Sequence, residues 1–234
     1  MRGLFVTATD TGVGKTVLSA ALLAGMSAAG ERVRAHKPVV TGLDDPDEIA
    51  ARGEWPADHE LLATAAGMDP GDVAPYRYGP AVSPHLAAQL AGERIEPAVL
   101  QAHARGKLGP TNEAVIVEGV GGLLTPLADE YSVCDHALAL GLPVLIAARP
   151  GLGTINHTLL TLRVARSSGL EVRAVVLTPW PEQPTTMQLS NRETIARLGE
   201  VDVQRLHTVE SPSLPDLAKG GAPLARLLLD DAVS

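Results

Sequence analysis

The segment TATDTGVGKTV, residues 7–17, places small residues and two glycines, Gly12 and Gly14, directly before Lys15 and Thr16. Backbone N–H groups at a helix start can face an anion, a lysine adds a point charge and a hydroxyl reaches Mg²⁺, so the segment has the composition of a phosphate-binding loop. The strict spacing of such loops would put the first glycine at Thr9, and Ala8 before it is not glycine either. In HKPVVTG, residues 36–42, Lys37 and Thr41 could reach phosphates or a second substrate. VIVEGVGGLLTPL, residues 115–127, presents Glu118 ahead of Gly119, Gly121 and Gly122, which let backbone lie against a ligand. A carboxylate there can hold Mg²⁺, which prefers oxygen ligands and takes only one or two carboxylates beside nucleotide phosphates. Asp58 in PADHELL is a second carboxylate for the metal or, equally, a helix N-cap. In GLGTINHTLLT, residues 151–161, Thr154, Ile155 and Asn156 open a helix whose unpaired N–H groups attract a carboxylate, although capping by Thr154 or Asn156 accounts for the same residues.

These residues need a scaffold that gathers them. The apolar run Leu4-Phe5-Val6 is a buried strand, and TVLSAALLAGMSAAG after it has helical spacing. Further strand-like runs occur at RVRAHKPVV, EAVIVEG, LPVLIAAR, EVRAVVLTPW and VDVQRLHTV, with helical stretches such as INHTLLTLRVARSSG and ETIARLGE between several of them. This alternation predicts a doubly wound, mostly parallel α/β sheet covered on both faces, with a ligand crevice at the carboxyl ends of the strands. We expect residues 1–234 to form a single domain with a helical insertion over about 44–109. The insertion should contain helices at HELLATAAG, PHLAAQLAGE and PAVLQAHARG and no strand. The tail after Pro212 reads as loop followed by the helix PLARLLLDDA.

Composition narrows the function. With 234 residues and 45% hydrophobic side chains, the chain can bury a sizeable core. Nineteen basic against 27 acidic residues, a net charge of −8, disfavour nucleic-acid and anionic-membrane surfaces. No apolar stretch reaches a membrane span or forms a signal peptide, so a cytoplasmic protein is expected. Cys134, the single cysteine, excludes disulfide frameworks and four-cysteine zinc sites and reads as a small buried apolar residue. None of the seven histidines is spaced for a helical metal site.

Five blocks, VTATDTGVGKT, HKPVVTG, SPHLAAQLAGERIEP, VEGVGGLLTPL and LGTINHTLLT, resemble in this order those of the dethiobiotin synthetase family. The resemblance implies a P-loop NTPase-like fold and a ligase. The family forms a carbamate from CO2 or bicarbonate on one amine of 7,8-diaminononanoate, phosphorylates it with a nucleoside triphosphate, and closes the ureido ring by attack of the second amine. Carried over, the Mg²⁺ ligands fall on Thr16, Asp58 and Glu118, and the catalytic lysines on Lys15 and Lys37. Nucleotide contacts fall on Thr11, Gly12, Val13, Gly14, Lys15, Thr16, Val17, Asp58, Glu118, Gly119, Gly121, Thr178 and Pro179. Substrate contacts fall on Thr41, Gly122, Thr154, Ile155 and Asn156. A homodimer with substrate near the subunit interface is implied, Asn156 coming from the opposite subunit. The co-substrate is ATP or another nucleoside triphosphate, because Thr178 stands where well-known members read adenine with an asparagine. Ala8, Gly12 and Asn191 also depart from the family, Gly12 standing where some members are acidic and Asn191 replacing a tyrosine near the diamine. Two other readings fit less well. Cobyrinate-type synthetases carry a glutaminase domain with a nucleophilic cysteine, and partitioning-type switch ATPases have an early loop lysine where this chain has Asp10.

Overall fold

The first strand, β1 (Gly3–Ala8), is buried along its whole length and runs into the glycine loop and then α1 (Lys15–Ala28). The computed structural model describes residues 2–106 and 113–229. After α1 come β2 (Val33–His36), the short β3 (Val39–Val40), α2 (Pro46–Arg52), α3 (Asp58–Ala66), β4 (Tyr76–Arg77), α4 (Pro84–Leu90) and α5 (Pro97–Gly106). The second half holds β5 (Ala114–Glu118), β6 (Pro126–Ala128), β7 (Tyr131–Ser132), α6 (Val133–Leu140), β8 (Val144–Ala148) and α7 (Thr154–Ser167). It ends with β9 (Val172–Trp180), α8 (Thr186–Gly199), β10 (Val203–His207) and α9 (Leu214–Leu229).

Six strands form one parallel sheet in the order β10-β9-β8-β1-β5-β2. From β1 the chain first travels outward past the later position of β5 to β2, then returns and builds β8, β9 and β10 on the other side. The direction of winding thus reverses beside β1, and the carboxyl ends of β1, β5 and β8 flank the resulting crevice. One apolar core, with Leu18, Leu22 and Met26 of α1 and Leu61 and Leu62 of α3, covers one sheet face. A second core, with Leu100, Val133, Leu162, Trp180 and Ile195, covers the other and includes the buried, unpaired Cys134. The strands are near-continuous apolar runs because both faces are buried.

Two expectations need correction. The segment between β2 and β5 contains a strand, since Tyr76–Arg77 pairs in parallel with Val39–Val40, and a helix at Pro46–Arg52 that the sequence reading did not include. A two-residue strand carries too little periodicity to be seen, whereas α2 has a visible start in Asp45, whose carboxylate accepts from the N–H groups of Asp47 and Glu48. The end expected for this insertion, Gly109, lies outside the described residues. The last helix begins at Leu214 rather than Pro223 and carries Pro223 in its interior. An internal proline costs about 3 kcal/mol of helix propensity. Close packing of α9 on α1 outweighs it: Leu217, Leu224 and Ala225 are buried, and a Cβ at Gly221 would run into the Ala21 carbonyl. The expected residues 230–232 of that helix lie outside the described residues. No described helix is long and apolar enough to cross a membrane.

Candidate active site

The loop after β1 turns through Gly12 (φ +68°) and Gly14 (φ +98°), left-handed conformations that side chains resist, and Gly14 is the N-cap of α1. No side chain caps that helix, so its first N–H groups remain open to an anion. Lys15 is 7% exposed, and its Nζ donates to the Asp10 carbonyl at 3.2 Å. Burial, and then the charge of Lys37, push the Lys15 ammonium down to about 8.

Lys37 follows β2 and is 3% exposed. Its Nζ sits 2.5 Å from Glu118 Oε1 and 2.7 Å from Asp58 Oδ2. Burial alone would neutralise it, but Asp58 and then Glu118 outweigh that cost and hold it above the ordinary lysine range. Asp58, also resisted by burial, is held below the ordinary carboxylate range mainly by Lys37. Asp58 is the first residue of α3, with Ala57 as the N-cap, so its carboxylate serves Lys37 and not the helix end. Thr16 Oγ1 donates to Glu118 Oε1 at 2.9 Å, while Glu118 Oε2 is buried without a hydrogen-bond partner among the described residues. Two carboxylates, a hydroxyl and two lysines, from α1, β2, α3 and β5, therefore meet at one point.

That point opens into a cleft of about 830 Å³. Its lining brings together Thr11, Gly12, Gly14, Thr16, Val17, Thr41, Asp58 and Gly121 with both lysines. Several predicted residues lie elsewhere. The Val13 side chain belongs to the core, and Gly119 is packed where a Cβ would meet Val133 at 2.9 Å. Gly122 lines a second cleft with Thr9, Asp10, Thr11, Leu124 and Leu160. Thr178 is 2% exposed and lies against Gly14, a Cβ on which would stand 3.3 Å from Thr178 Cγ2, while Pro179 is exposed.

At α7 the N-cap is Gly153 (φ +89°) with no side-chain cap, so neither Thr154 nor Asn156 caps the helix. Thr154 is buried and shares a 3.4 Å contact with Thr158, Ile155 packs on the second core, and Asn156 is exposed. Asn191 is buried behind the preceding turn and donates to the Pro150 and Gly151 carbonyls, each at 3.1 Å.

The sequence reading missed Glu48, Arg52 and Trp55, which line the main cleft from α2 and its end. It also missed Arg149, whose Nη2 donates to the Gly12 carbonyl at 2.8 Å. The N-cap at Asp45 was a usable signal for α2, whereas the Arg149 contact depends on β8 lying beside β1.

Residues 2–212 match the family model described as an AAA domain. The ATP-dependent dethiobiotin synthetase BioD of Anaeromyxobacter sp. (strain Fw109-5) is 42% identical over 211 residues, covering 86% of this chain and 91% of that protein. The enzyme of the same name from Bacillus subtilis (strain 168) is 35% identical over 205 residues, covering 87% and 85%. Among solved structures, the cell division ATPase MinD of Pyrococcus furiosus superposes with a TM-score of 0.55 at 15% identity, covering 98% of this chain and 99% of that one. A ParA family ATPase from Chlorobium tepidum gives 0.53 at 13%, covering 100% and 99%. The structural likenesses establish a P-loop NTPase-like fold, and the sequence relatives, similar along most of their length, go further: the chain belongs to the dethiobiotin synthetase family.

Proposed function

We propose that the protein is a dethiobiotin synthetase that uses a nucleoside triphosphate and Mg²⁺ to convert 7,8-diaminononanoate and CO2 into dethiobiotin. The observation that carries this reading is the meeting of Lys15, Lys37, Thr16 and Asp58 in the lining of one cleft that also contains Thr41, with the buried Glu118 behind them bonded to Lys37 and Thr16. One amine of the substrate attacks CO2 and loses a proton, giving a carbamate. A carbamate oxygen then attacks the γ-phosphorus, and the nucleoside diphosphate leaves. The second amine attacks the carbonyl carbon and loses a proton, and phosphate departs as the ring closes.

Phosphoryl transfer asks a protein mainly for positioning and charge neutralisation. Lys15 binds the phosphates. Lys37, kept protonated by its two carboxylates, neutralises charge on the transferred group and the carbamate oxygen. The residues fit Mg²⁺: Thr16, Asp58 and Glu118 offer hard oxygen donors, and the buried Glu118 Oε2 has no partner among the described residues. When bound, the ion supplies charge neutralisation at the phosphate oxygens.

The exposed Leu124 and Leu160, beside Gly122, together with the exposed Leu152 just ahead of α7, offer apolar surface that a second copy of the chain covers. Such a homodimer lets the uncapped first turn of α7, with Ile155 and Asn156, receive the substrate carboxylate of the opposite subunit. All reactants are small and water-soluble, which fits a cytoplasmic location. Phosphate release measured with each reactant omitted tests the reading. A synthetase needs both diaminononanoate and bicarbonate, whereas equal hydrolysis without the diamine would instead favour a switch ATPase.

A further inference from the structure

The β8–α7 turn is anchored on two sides by contacts that the reaction above does not use. On one side Asn191, itself 7% exposed, donates from Nδ2 to two consecutive carbonyls, Pro150 and Gly151. On the other, Arg149 Nη2 donates to the carbonyl of Gly12, 137 positions away in the chain. Gly12 is held at φ +68°, and a Cβ there would stand 3.3 Å from the same Nη2. Glycine samples many conformations at little cost, so a loop with glycine at positions 12 and 14 requires outside contacts to hold one shape. A carbonyl oxygen is the negative end of its peptide dipole and repels a polyanion. Pairing it with a guanidinium removes that repulsion and adds a fixed positive charge at the loop.

We infer that Arg149 is a positioning residue of the nucleotide loop: it fixes Gly12 and offsets its carbonyl, with Asn191 bracing the turn from which Arg149 projects, and it thereby sets affinity for the triphosphate. The inference rests on reading residues 7–17 as the nucleotide loop but not on the identity of the amine substrate. It also accounts for glycine at position 12, since an acidic side chain there would crowd and neutralise the guanidinium.

Titration calorimetry with adenosine 5′-(γ-thio)triphosphate and Mg²⁺ tests this directly, with thermal midpoints recorded in parallel. Arg149 is itself exposed, so losing its charge-assisted hydrogen bond predicts that Arg149→Ala weakens binding by about fivefold, and Arg149→Lys, which keeps a cationic donor, by no more than about twofold. Asn191→Ala should weaken binding in the same direction by a smaller factor. Arg149→Ala binding within about twofold of the parent would overturn the inference. So would equal losses in the Ala and Lys variants accompanied by a lowered midpoint, which would mark a general structural role. Binding is read without product formation, so failure of the dethiobiotin reading would leave this result interpretable.

Discussion

At the scale of single residues, Lys37 is the side chain on which the account depends most. It is almost fully buried yet charged, balanced by Asp58 and Glu118, which suits a group whose task is to meet developing negative charge. Replacing Lys37 with Ala should lower turnover roughly 10²–10³-fold, the usual effect of removing one transition-state donor, with a smaller loss of nucleotide affinity. Near-parental turnover in single-turnover assays would remove it from the chemistry. Base preference is a second residue-scale prediction. Thr178 is buried against Gly14, outside the cleft lining, and has one hydroxyl in place of an amide, while Pro179 has no N–H. An asparagine there would add a bidentate adenine contact of ~1–3 kcal/mol. We therefore expect kcat/KM for ATP, GTP, CTP and UTP to agree within about tenfold, and Thr178→Asn to shift preference toward ATP. A parental ATP preference above about a hundredfold would show that other groups read the base. Lys37 and Glu118 were legible in the sequence because each ends an apolar run, and strand ends face the crevice. The partnership of Asp58 with Lys37 was not legible, because it depends on how the segment between β2 and β5 folds back.

At the scale of elements, the six sheet strands were readable as apolar runs, and α1 as a helix placed by its loop. The short pair β3–β4 and the start of α9 were not, because both depend on tertiary contacts that override local propensity. The elements β2, α5 and α6 also bring three histidines together beneath the site. The His36 ring lies 5.1 Å from that of His103 and 5.9 Å from that of His136, and Tyr131 Oη lies 3.1 Å from His136 Nδ1. Burial, then the neighbouring His136 and His103, hold His36 well below the ordinary histidine range, and burial followed by Arg105 lowers His136 to about 4. The unfolded chain thus binds more protons than the native one as pH falls below about 6.5, so stability is lost between there and about pH 4. Each histidine kept neutral contributes a slope of about 1.4 kcal/mol per pH unit in that window. Thermal midpoints measured between pH 7.5 and 5 should fall steeply in the parent and less steeply in His136→Gln. A flat parental profile would contradict this account of the cluster.

At the scale of the whole molecule, the sheet order places β8 and β5 on either side of β1, and this arrangement is what turns separate motifs into a site. The sequence indicated that the sheet was parallel and doubly wound, but pairing between strands more than a hundred residues apart leaves no local trace. The exposed apolar residues Leu124, Leu152 and Leu160 belong to the same scale. Leu152→Asp combined with Leu160→Asp should yield a monomer by light scattering and raise the KM for diaminononanoate by at least about tenfold, because a charge at that position cannot be buried cheaply. Nucleotide affinity should change little, and a variant that remains dimeric would move the interface elsewhere. The synthetase activity itself is measured by a simultaneous assay of phosphate and dethiobiotin formed from diaminononanoate, bicarbonate, Mg²⁺ and each nucleoside triphosphate. One phosphate should be released per dethiobiotin formed, with neither product appearing when the diamine is omitted. Phosphate released without dethiobiotin, at a rate indifferent to the diamine, would contradict it.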